Sequence, residues 1–85
     1  MLPEMNTTLV GQEVRRARNA LGLTLAQLSE RTSLAVRTIH GIETGESRYP
    51  SEHTLRPLAE ALTPETSYRK LALLVYGEVV EPVPA

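Results

Sequence analysis

The sequence predicts an all-α fold, a small domain of five helices. Three observations predict it. Apolar residues recur at helical intervals through successive stretches, capping residues stand ahead of those stretches, and glycine or proline marks their ends. A chain of 85 residues can bury only a modest core, so association between copies is an expected aid to stability.

Residues 1–7 carry no periodic pattern and are expected to be flexible. The domain is expected over 8–76, with a tail over 77–85 that contains Pro82 and Pro84. The first helix is expected over about 9–21. Thr7 or Thr8 can cap it, Val10, Val14, Ala17 and Leu21 make its apolar stripe, and Gly22 ends it. Thr24-Leu-Ala-Gln27 reads as a capping box and opens a second helix over about 25–31, with Leu25 and Leu28 as its buried pair. Residues 32–35 then turn into a third helix over about 35–43, so the second and third helices form a helix-turn-helix candidate.

The third helix divides into two arcs at about 100° per residue. Ala35, Thr38, Ile39, Ile42 and Glu43 share the arc suited to a core; Val36, Arg37, His40, Gly41 and Thr44 share the other. Gly45 supplies the left-handed position that commonly ends a helix. On these residues alone, an ordinary surface helix fits as well as a binding helix. The fourth helix is expected over about 55–62, with Thr54 as its cap so that Pro57 falls in the tolerant first turn. Thr63-Pro64-Glu65 reads as a further helix start, giving a fifth helix over about 64–76. There Tyr68, Leu71, Ala72 and Val75 face a core, while Leu73, Leu74 and Tyr76 leave apolar area on other faces. That excess fits either a partner surface or a helix sunk deep in the core.

The residue inventory excludes several chemistries. Cysteine and aspartate do not occur, and the histidines are His40 and His53. A Ser-His-Asp triad is therefore impossible, no thiolate site can form, and two histidines without a further soft ligand make a poor metal site. There is no glycine-rich phosphate loop. No enzyme activity, metal or cofactor is expected. No stretch reaches the roughly 20 apolar residues of a membrane span. The lack of a basic-then-apolar leader and of cysteine points to a cytoplasmic protein. The net charge is −1, yet residues 9–57 carry seven arginines against five glutamates, and the acidic excess lies in the rest of the chain.

Arg18, Leu21-Gly-Leu-Thr24, Leu28, Thr38-Ile39, Ile42-Glu43, Gly45, Pro50 and Leu58-Ala-Glu-Ala-Leu62 together resemble the helix-turn-helix domains of the phage lambda-repressor and Cro family, without insertion over about residues 8–76. The resemblance implies a compact five-helix domain, bacterial or phage-encoded, that binds a palindromic DNA operator as a homodimer and regulates transcription, with repression favoured. By position, Val36 and Arg37 match the family's base-reading residues, and His40, Gly41 and Thr44 its further outward positions. Arg37 can make a bidentate bond to guanine, Val36 can meet a thymine methyl, and Gly41 would let the backbone approach the duplex. Phosphate contacts are expected from Arg15, Thr24, Leu25, Gln27, Arg48, Tyr49 and Arg56. Arg18 and Glu43 match a structural salt bridge. Leu73, Leu74 and Tyr76 are expected at the dimer interface. Three positions depart from the family pattern: Ser33 stands at the usual turn glycine, Ala35 at the usual cap, and Leu25 at a usually polar contact. The alternative function is a protein-interaction module of the same fold (antitoxin, adaptor or anti-repressor) with a toxin, an anti-repressor or a polymerase subunit as partner.

Overall fold

The computed structural model describes residues 8–76; the flexible stretch expected at 1–7 and the tail at 77–85 lie outside the described residues. Among the described residues are five helices and no strand: α1 Leu9–Ala20, α2 Leu25–Thr32, α3 Val36–Thr44, α4 Glu52–Ala61 and α5 Tyr68–Tyr76. None is long and apolar enough to cross a membrane. Helix α1 packs on α3 and α5, α2 packs on α3 and α4, and α4 packs on α5. Val10, Val14, Leu28, Ile39, Ile42, Leu55, Leu58 and Leu71 are fully buried where these helices meet.

Thr8 caps α1 by accepting from the Gly11 amide at 3.0 Å. At the other end the chain reverses through Gly22 (φ +70). The Leu23 amide donates to the Arg18 carbonyl at 3.1 Å and the Gly22 amide to that of Asn19 at 3.0 Å, the paired bonds of a Schellman motif. The reversal sends Leu23 into the core and leaves Leu21, expected on the buried stripe, exposed. The capping box opens α2 in both directions: Thr24 Oγ1 accepts from the Gln27 amide, and Gln27 Oε1 accepts from the Thr24 amide. Leu28 is fully buried, while Leu25 is only half-buried against the core.

The later helices begin elsewhere than their local signals predict. Helix α4 starts at Glu52 behind Ser51, so Thr54 lies inside it and Pro57 is its sixth residue. The proline cannot donate to the carbonyl of His53 one turn back. His53 is exposed, so that carbonyl can turn to water. Thr63-Pro64-Glu65-Thr66 is a turn rather than a helix start, closed by a 2.8 Å bond from the Thr66 amide to the Thr63 carbonyl. Thr66 is fully buried and its hydroxyl donates to Glu13 of α1 at 2.8 Å. That long-range bond overrides the local start signal. Ser67 accepts from the Lys70 amide instead, and α5 begins one residue later.

Candidate functional site

Two contacts with α1 set the position of α3. At Gly11 the helices nearly touch: a Cβ built there would lie 2.2 Å from the carbonyl oxygen of Ile42 and 3.1 Å from that of Glu43. Only glycine fits such an approach. The second contact is the carboxylate of Glu43, only 1 % exposed. Arg18 grips it with one edge of its guanidinium, Nε to Oε2 at 2.7 Å and a terminal nitrogen to Oε1 at 2.9 Å. The remaining Arg18 terminal nitrogen donates to the Leu23 carbonyl at 2.8 Å. The carboxylate raises the Arg18 pKa above its ordinary value, chiefly through these hydrogen bonds. Arg15, half-exposed, adds a bond to the same Oε1 at 3.3 Å. Removing one partner of a buried pair leaves a charge uncompensated, so Arg18 and Glu43 hold α3 in place.

The turn between α2 and α3 is built from unusual residues for its task. Ser33 takes the left-handed conformation at φ +65. The buried Thr32 hydroxyl donates to the Leu28 carbonyl and accepts from the Leu34 amide, while Ser29 donates to the Leu34 carbonyl. These bonds satisfy the turn's polar groups and offset the strain at Ser33. Ala35 precedes α3 in an extended conformation and supplies no side-chain cap. The first-turn amides of α3 therefore have no side-chain acceptor from the cap position.

The outward side of α3 differs from expectation at three places. Val36, Arg37 and His40 are exposed as the helical arc predicts. Ala35 and Thr38, assigned to the core side, are exposed as well, and Ile39, Ile42 and Glu43 are the members of that arc that are buried. Gly41, expected to face outward, is buried. The connection after α3 folds back over it: the Ser47 amide donates to the Gly41 carbonyl at 2.9 Å, and a Cβ built on Gly41 would lie 3.8 Å from the side chains of Glu46 and Ser47. Thr44 is half-exposed, and its hydroxyl donates back to the His40 carbonyl at 3.0 Å. His40, Thr44, Gly45, Glu46 and Arg48 line an open hollow beside the helix.

The cations divide into two groups. Arg15 and Arg18 are committed to Glu43, Arg16 and Lys70 to Glu13, and Arg56 to Glu52. Arg56 also lies over the Tyr68 ring, 4.2 Å from its centroid, so this expected phosphate contact is turned toward α5. Arg31, Arg37 and Arg48 have no ion pair among the described residues. Two of those three, Arg37 and Arg48, flank the outward side of α3. At the start of α2 the capping box uses the Thr24 and Gln27 amides, which leaves those of Leu25 and Ala26 as the free donors of the first turn.

On α5, Leu74 is half-buried against the core, whereas Leu73 and Tyr76 remain exposed. Leu9 and Tyr49 are more exposed still, at 62 % and 75 %, and share a shallow hollow with Leu74. The pattern signal missed the two residues that organise this end of the molecule, Glu13 and Thr66. Among the described residues no group of three or more potential metal ligands comes together. A family described as a helix-turn-helix domain matches the chain over residues 9–63, a span that takes in α1 to α4 and stops before α5. No curated protein and no solved structure matches the chain.

Proposed function

We propose that this chain, which belongs to the helix-turn-helix domain family, is a sequence-specific DNA-binding transcriptional regulator of the lambda-repressor and Cro type. The observation that carries the reading is the division of the cations. The fold pairs Arg15, Arg16, Arg18 and Arg56 with its own glutamates and, among the described residues, leaves Arg37 and Arg48 without an ion pair beside the exposed face of α3. A positive face that the fold itself does not use suits an anionic, acceptor-rich partner, and the major groove admits a helix of this kind.

In this reading Val36, Arg37 and His40 contact base edges, with Thr44 behind them offering a methyl group and an acceptor oxygen. Arg48, Tyr49, the Gln27 side chain and the free amides around Leu25 contact phosphates. Arg15 could join them only by sharing its guanidinium with Glu43. Two copies, joined through Leu73 and Tyr76, would place their α3 helices on the half-sites of an inverted repeat, and occupancy of such an operator would repress. Selection of the protein on a random duplex library tests this. An inverted repeat with half-sites about one helical turn apart is expected. A folded protein that enriches no sequence would exclude it.

The exposed Leu9, Tyr49, Leu73 and Tyr76 favour a second reading, a protein-interaction module. Ionic strength separates the two. Phosphate-driven binding falls with a logarithmic slope near −0.9 per contact, on the order of 10³-fold or more between 50 and 200 mM salt for six or more contacts. An apolar protein interface would barely respond.

A further inference from the structure

We infer that Glu46 and His40 together read a C·G base pair, a recognition element separate from Arg37; the inference rests on the DNA-binding reading above. Glu46 lies just past α3, and the backbone holds it there. The Gly45 amide donates to the Ile42 carbonyl at 3.2 Å and the Ser47 amide to the Gly41 carbonyl at 2.9 Å, so the residue between them moves with the helix. Its carboxylate lies over Gly41, where a Cβ would sit 3.8 Å from Oε1.

Glu46 and His40 line the same open hollow, and both are exposed. Arg48 lines it too, yet no ion pair among the described residues joins Arg48 to Glu46. Acceptor and donors therefore stand side by side without cancelling one another. The Thr44 hydroxyl proton is already given to the His40 carbonyl, which leaves the imidazole N–H as the ring donor of the set.

This composition selects the ligand. A carboxylate repels phosphate, so the hollow is ill suited to the duplex backbone. It suits a surface that offers a donor next to acceptors. In the major groove a C·G pair offers that arrangement: cytosine N4 donates, and guanine O6 and N7 accept. Glu46 would accept from cytosine while the His40 N–H donates to guanine. Arg48, which also lines the hollow beside Leu9 and Tyr49, is left for a flanking phosphate.

The test compares the full chain and its Glu46→Gln variant on a random duplex library, then on the selected duplex with single base pairs changed, at fixed salt. The wild type is expected to prefer C·G over A·T at one pair by about tenfold or more. The variant should lose that preference or shift it to A·T, since glutamine pairs with adenine, while the Arg37-dependent pair stays unchanged. His40→Ala should weaken discrimination at the same pair as Glu46→Gln. If Glu46→Gln selects the wild-type sequence and binds every duplex uniformly tighter, Glu46 is only a surface charge and the inference is overturned. A wild type that enriches no sequence overturns the DNA-binding reading itself.

Discussion

Arg37 is the residue with the clearest division between what the fold requires and what it leaves over. It is exposed and has no ion pair among the described residues, so its loss should leave stability unchanged. Arg37→Ala is expected to cost about 1–3 kcal/mol of binding, confined to one base pair of the selected site and measured by single-pair substitution. Equal loss on specific and random duplex would reduce Arg37 to a phosphate contact. Ser33 poses the opposite case, a residue under strain for the fold alone. Its φ of +65 is unfavourable for any residue with a Cβ, and glycine would relieve it at some entropic cost. Ser33→Gly should raise stability by about 0.5–1 kcal/mol in chemical denaturation. The sequence shows both residues, since the helical arc exposes Arg37 and the family pattern marks Ser33 as a departure. Gly41 is not legible in the same way. Its arc position points outward, and only the Ser47-to-Gly41 bond, made by the following loop, buries it.

At the scale of the element, the first three helices begin and end close to where caps and periodicity put them, because their signals are local and their ends satisfy themselves. The capping box of α2 and the Gly22 reversal are complete within a few residues. Helices α4 and α5 depart from the pattern where tertiary contacts decide. Burial of Leu55 and Leu58 seats α4 in a helix that begins early and carries Pro57 in its second turn. Removal of the proline restores an amide donor for the His53 carbonyl, offset in part by a freer unfolded chain. Pro57→Ala should therefore stabilise the protein by about 1–2 kcal/mol, read as a higher denaturant midpoint with an unchanged slope. The α5 start was illegible for a related reason. Thr66 bonds to Glu13, 53 residues away, and a contact that distant leaves no periodic mark.

For the molecule as a whole, Glu13 is the group through which pH acts on the fold. It joins α1 to the turn before α5 through Thr66 and to α5 itself through Lys70, and it also accepts from Arg16 within α1. The Arg16 guanidinium first, then the Thr66 hydroxyl and Lys70, lower its pKa from 4.5 to about 2 against the opposing push of burial. A carboxylate whose pKa falls on folding contributes its full stability above the unfolded value. That contribution is lost as pH falls from about 4.5 toward 2. With allowance for the solvent around Arg16 and Lys70, the loss should be on the order of 2 kcal/mol, and Glu13→Gln should flatten the acid limb of the stability curve. The clamp of α1 on α3 has a different kind of consequence. Gly11, Arg18 and Glu43 fix the helix from one side, while Val36, Arg37, Thr38 and His40 on the other are exposed. Substitutions at such exposed positions usually change stability by no more than about 0.5 kcal/mol. Under the proposed reading, a lineage carrying this domain can therefore change its address on the genome one residue at a time, without approaching the threshold at which so small a domain ceases to fold.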